Sequence, residues 1–232
     1  MSSPADPGPG GTSPVTRSDV GTAEPASWPW APEGVLQGCR PVLRSILGRS
    51  GGPIGVTSAS RREGRSTIAA GLARVLRDEH QQSTVLLELD PGAQSSASAF
   101  PGHDGPGLVD VLDGAVGTCE CVRWLGPGLG VLTVGLVHDV PEMLSRFRHS
   151  QVLRDLEAAG HAVVADLPPL PPHGGADRVV DAFADLVLVV RTGVTPRTAL
   201  QSALGTLGRT PVVVLNQKAT SVPRWLRRPL GV

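Results

Sequence analysis

The segment Ser58-Ala59-Ser60-Arg61-Arg62-Glu63-Gly64-Arg65-Ser66-Thr67 follows the apolar run Ile54-Gly55-Val56-Thr57 and opens a stretch in which Ile68, Leu72, Val75 and Leu76 recur at helical offsets. A strand that feeds a tight loop and then a helix aims backbone N–H groups and the positive helix end at a polyphosphate. In the loop pattern G-x-x-x-x-G-K-[ST], the lysine reaches the terminal phosphates and the hydroxyl residue holds magnesium. Here Ala59 stands at the first glycine and Arg65 at the lysine, while Gly64 and Ser66 keep their places.

Three further strand ends carry groups suited to the same ligand. Leu86-Leu87-Glu88-Leu89-Asp90 runs out with two carboxylates on one side by strand alternation, able to hold a metal-bound water or position an attacking group. Ala162-Val163-Val164-Ala165-Asp166 ends in an acid followed by Leu167-Pro168-Pro169, the form of a strand that brings a carboxylate to a nucleotide-bound metal. Val212-Val213-Val214-Leu215-Asn216 ends in an amide that offers a base edge both a donor and an acceptor. Taken singly, each of these has a plainer reading, as a solvated acid pair or a turn residue at a strand end, and for Asn216 the turn is the commoner role.

The elements that would position these groups alternate along the chain. Strands are expected at Ile54–Ser58, Thr84–Leu89, Gly130–Val134, Ala162–Asp166, Leu186–Arg191 and Pro211–Leu215, with helices at Ser66–Arg77, Pro141–Ala159, Ala176–Phe183 and Pro196–Leu207. A leading helix over Glu33–Leu47 must be bent or split by Pro41. Short apolar strands separated by helices predict an α/β fold, a mostly parallel sheet of about six strands with helices on both faces. Ligands of such sheets lie beyond the carboxyl ends of the strands, where the loop at 59 to 66 falls. The expected organisation is a Pro/Gly/Ser-rich disordered tail over 1–32, the leading helix in 33–49, the nucleotide domain over 50–217 and a basic, apolar tail over 218–232. Trp28 and Trp30 interrupt the first tail as a docking or fold-back element.

Composition narrows the function classes. Lys+Arg and Asp+Glu are both 21, so bulk charge gives no reason to expect a nucleic-acid partner. Cys39, Cys119 and Cys121 lack metal-ligand spacing and fit a reduced, cytoplasmic protein. No apolar run reaches bilayer length, and the first residues lack the regions of a secretory signal. The basic end Arg224-Trp225-Leu226-Arg227-Arg228 could touch the inner face of an anionic membrane, but Pro223 and Pro229 oppose a stable amphipathic helix and favour a solvated or partner-docked tail.

Read together, Val56-Thr57-Ser58, Glu63 to Ala73, the strand Thr84 to Asp90, Gly107 to Gly114, Val140-Pro141-Glu142-Met143-Leu144, Asp166-Leu167-Pro168-Pro169, Ala184 to Arg191 and Val214-Leu215-Asn216 resemble the bacterial tyrosine autokinases of capsule and exopolysaccharide synthesis. These are a branch of the MinD/ParA-like P-loop ATPases. The resemblance spans residues 50 to 217 and implies a P-loop NTPase fold, Mg-ATP as cofactor and a membrane polysaccharide co-polymerase as partner. It implies that Arg61, Arg62, Glu63, Gly64, Arg65, Ser66 and Thr67 surround phosphate, with Asn216 facing adenine. Glu88 and Asp90 would stand for the paired aspartates and Asp166 for the Walker B acid, so that Arg65, Glu88, Asp90 and Asp166 carry the catalytic places and Ser66, Asp90 and Asp166 the metal.

The chain departs from that family at the places where chemistry is done. Arginine is a planar fork and does not replace a compact ammonium threaded beneath phosphates, and losing such a group costs about 3–4 kcal/mol of transition-state stabilisation. Family members also have Pro-Gly at Arg61-Arg62 and Asp at Glu88. With no tyrosine in 232 residues, autophosphorylation on tyrosine is chemically excluded. Gln37, Arg40 and Arg44 do not reproduce the family's interfacial Glu and two Arg, which leaves ring assembly unsupported and a homo-oligomer open. The expectation is a divergent ATP/Mg-binding protein, weakened or silent in catalysis, that regulates polysaccharide synthesis or export. The alternatives are an active P-loop ATPase or kinase acting on another protein, and a MinD/ParA-type positioning ATPase.

Overall fold

The computed structural model describes residues 31–48, 51–91 and 105–216. Trp28, Trp30 and the tail after Asn216 lie outside them. Strand β1 (Ile54–Ser58) is buried along its whole length in a seven-stranded sheet. The other strands are β2 (Thr84–Glu88), β3 (Arg123–Gly126), β4 (Leu129–Leu132), β5 (Ala162–Asp166), β6 (Asp185–Arg191) and β7 (Val212–Asn216), in spatial order β3-β4-β2-β5-β1-β6-β7. All neighbours pair parallel except β3 with β4.

Strand β3 is a seventh strand beyond the six read from the sequence. It joins β4 through Pro127-Gly128, where proline presets the turn and Gly128 takes φ +73, a left-handed conformation that glycine adopts without steric cost. The dipeptide was the available signal. Because Arg123-Trp124 is partly exposed on a short edge strand, apolar content alone does not reveal it.

Helices cover both faces. Helix α1 (Glu33–Leu47) and helix α2 (Arg65–His80) pack on one face, where Leu36, Cys39, Leu43 and Ile46 meet Leu72, Leu76, Val56 and Val164. Helix α1 stays one element through Pro41. That residue lies on the exposed side, where water can satisfy the carbonyl its missing N–H leaves open. Helices α3 (Leu108–Leu112), α4 (Val140–His149), α5 (Val152–Ala158) and α6 (Arg197–Leu207) lie on the other face with Leu108, Leu144, Phe147, Leu156 and Leu207 in its core.

Two helices expected from periodicity are corrected. The stretch from Pro141 to Ala159 divides at Ser150, whose hydroxyl donates to the Phe147 carbonyl at 2.8 Å and competes with the helix backbone. The stretch from Ala176 to Phe183 forms two 3₁₀ turns, Ala176–Arg178 and Val180–Ala182. There Arg209 donates to the carbonyls of Val180 at 3.0 Å and Phe183 at 2.7 Å, a distant partner for backbone acceptors at the end of the turn. No helix among the described residues is long and apolar enough to cross a membrane.

Candidate nucleotide site

The loop leaves β1 at its carboxyl end and enters α2 through Gly64, which stands at φ +86. A side chain there would be strained, and its Cβ would overlap the Asn216 amide nitrogen. Arg62 also takes a left-handed conformation, φ 62, at a place where a glycine would adopt it at lower cost. The first amides of α2 have no carbonyl within their own helix, so this end is the natural seat for an anion.

The loop is braced from two sides. Glu63, only 2 % exposed, accepts from the Ser60 N–H at 3.0 Å and from the Thr195 hydroxyl, and Thr195 in turn accepts from the Arg191 N–H at 2.9 Å. Asn216 reaches across from β7, and its Nδ2 donates to the Glu63 carbonyl at 2.8 Å. Its amide therefore ties the last strand to the loop. The resemblance sets Glu63 among the residues around phosphate; here its buried carboxylate is turned onto Ser60 and Thr195 as a brace of the loop.

Strand registry gathers the acids. Asp166 is the partner of both Val56 and Glu88, so Glu88 and Asp166 share the sheet face covered by α2, the face of Val56 and Val164. Asp90 lies just beyond the end of β2, and Glu88, Asp90 and Asp166 are 2 %, 6 % and 4 % exposed. Arg65, the first residue of α2, turns down onto this group. Its Nε donates to Asp166 Oδ1 at 2.8 Å, its Nη2 to Asp90 Oδ2, and its Nη1 to Ser58 Oγ at 3.4 Å. Ser66 adds a hydrogen bond to Asp166. Burial pushes the Asp166 carboxyl above the usual carboxylate range, and Asp90 pushes it the same way; the Arg65 charge and the hydrogen bonds from Ser66 and Arg65 oppose them.

The structure thus brings Gly64, Arg65, Ser66, Asp90 and Asp166 together, with Asn216 at the rim of the loop. Arg61 and Arg62 remain exposed. Arg61, Asp90, Pro91, Leu144, Pro168 and Arg178 help to line a cavity of about 360 Å³ beside the acid pair. The residues expected to hold magnesium do not fit it in this arrangement. Magnesium demands near-ideal octahedral oxygens at about 2.0–2.1 Å, whereas Asp90 and Asp166 both accept from the guanidinium and Ser66 is bonded to Asp166. Among the described residues no group of three or more His, Cys, Asp or Glu side chains is arranged for a metal ion.

No protein-family model matches the chain, and no curated protein matches it. Solved structures do. The kinase domain of the Escherichia coli tyrosine kinase ETK superposes with a TM-score of 0.71 at 21 % identity over 81 % of this chain and 77 % of that one. The VpsO kinase domain gives 0.68 at 23 % identity over 81 % and 97 %. The MinC:MinD cell division complex of Aquifex aeolicus gives 0.56 at 17 % identity over 78 % and 72 %. The arrangement of loop, sheet and helices in this chain is that of the α/β P-loop NTPase fold, in the form seen in these kinase domains and in the MinC:MinD complex.

Proposed function

We propose that this protein is a nucleotide-binding regulator of polysaccharide synthesis or export whose catalytic capacity is reduced or lost. The observation that carries the reading is Arg65: it stands at the lysine place of the loop and points at Asp90 and Asp166. A phosphate-loop lysine lowers the barrier by meeting charge that develops on the transferred phosphoryl group. A guanidinium already committed to two buried carboxylates is not available for that task. Binding has separate support in Gly64, the α2 N-terminus and the exposed Arg61 and Arg62.

The polysaccharide assignment rests on the likeness to tyrosine kinase domains and on the motif order from Gly107 to Leu144. The partner in this reading is a membrane co-polymerase or a related membrane protein met at the inner face of the cell membrane. Because the chain has no tyrosine, the regulatory signal is nucleotide occupancy and not autophosphorylation.

Calorimetric titration of ATP, followed by turnover assays on the native chain and on Arg65→Lys, tests the reading. Binding with no turnover in the native chain is the expected result. Absence of binding at millimolar ATP, or native turnover at about the median enzyme rate of 10 per second, would refute it.

A further inference from the structure

We propose that Arg65 is the site's resident cation, taking the position of a divalent metal, so that the loop receives nucleoside polyphosphate without magnesium. The proposal rests on the nucleotide reading above and specifies the form of its ligand.

Among the described residues Arg65 is the one buried cation, 7 % exposed, and it lies against two carboxylates that are 6 % and 4 % exposed. Its fork engages both at once, with Nε on Asp166 and Nη2 on Asp90, while Nη1 faces Ser58. A guanidinium is always charged, and its planar spread of donors matches carboxylate geometry, which a lysine ammonium does not. The side chains that the sequence nominates as metal ligands, Ser66, Asp90 and Asp166, are all within this one network.

A metal could enter only by expelling the guanidinium from both acids, and breaking such a buried pair is strongly unfavourable. A metal in a phosphate loop normally bridges the nucleotide to the acidic strand ends. With Arg65 filling that space, the positive groups left to the phosphates are the α2 amides and the exposed Arg61 and Arg62, none of which needs a bridging ion.

The test titrates ATP into the full chain by calorimetry in EDTA and again in excess Mg²⁺, and separately counts bound Mn²⁺ by electron paramagnetic resonance with no nucleotide present. The expected result is an ATP Kd in EDTA within about threefold of the Mg²⁺ value or tighter, and no Mn²⁺ bound by the native chain. In Arg65→Ala the acids are released: Mn²⁺ binds, and ATP binds at least about tenfold tighter with Mg²⁺ than without. Arg65→Lys serves if Arg65→Ala does not fold, with Mn²⁺ binding again gained. ATP binding by the native chain only in Mg²⁺, or Mn²⁺ binding by the native chain, overturns the proposal while leaving the nucleotide reading intact. No heat in either solution overturns the nucleotide reading and with it the ligand assigned here.

Discussion

Replacing Arg65 by alanine should destabilise the fold even with no ligand present. The substitution leaves Asp90 and Asp166 buried near one another, at 6 % and 4 % exposure, without the guanidinium that both accept from. Removing one member of a buried ion pair costs about 3–5 kcal/mol, because the remaining charge stays desolvated. For a chain of this size that corresponds to a melting temperature lower by roughly 6–20 °C. The loss should depend on pH with a defined sign. Asp166 is already raised by burial, and removing the Arg65 charge and hydrogen bond that oppose this raises it further. A group whose folded value lies above its unfolded value contributes stability below the unfolded value and loses it as pH rises through the folded one. Arg65→Ala should therefore be least stable at pH 8 and recover relative to the native chain as the pH falls toward 5. Urea denaturation followed by circular dichroism at pH 5, 6.5 and 8 measures this. Arg65→Met combined with Asp90→Asn and Asp166→Asn removes all three charges and should regain most of the lost stability. A loss below about 1 kcal/mol at pH 8, or a loss that grows on acidification, would refute the account of Arg65 as a buried counterion.

Gly64→Ala should lose about 1–2 kcal/mol through left-handed strain and displacement of the Asn216 amide; in a double-mutant cycle Asn216→Ala should recover part of this, and strict additivity would show that the two do not meet. Phe183→Ala, in the core beside Phe147, should cost about 3–5 kcal/mol in urea denaturation, and a cost under about 1 kcal/mol would mean the ring is not packed there. Burial pushes the Cys39 thiol up to about 12 from an ordinary value of 9.0, so in the folded chain it should resist alkylation at pH 8 while exposed Cys119 reacts. The same shift means that the contribution of Cys39 to stability is present below pH 9 and is lost as pH rises from there toward about 12, and a Cys39→Ala variant whose unfolding shows the same alkaline decline as the native chain would remove that assignment.

Local patterns were enough to place β1, β5, α1 and most of α2 and α6, because a buried strand needs a short apolar run and a surface helix needs a repeating apolar stripe. They also brought the loop and three acidic positions to one end of the sheet, since strand alternation and parallel crossovers leave few other arrangements. Where a side chain competed for backbone groups, from far along the chain or from within the same turn, the apolar period was insufficient. Arg209 takes the carbonyls that end the turns before Phe183, and Ser150 competes for the backbone between α4 and α5. Of the two effects expected of Pro41 on α1, a bend or a split, the split does not occur, because its exposed setting lets the helix run on.

Composition and residue order alone establish that Arg65 stands at the lysine place, that Gly64 and Ser66 remain, and that the chain has no tyrosine to phosphorylate. These are facts of residue type, and they hold in any conformation. Where the guanidinium points is a different kind of fact. A side chain with several rotatable bonds at the mouth of a loop can face either a phosphate or the protein, and only the register of β5 with β1 and β2 sets Asp166 and Glu88 on the face beneath it. The tertiary structure decided the outcome, with Arg65 drawn inward by two buried carboxylates whose desolvation demands a partner.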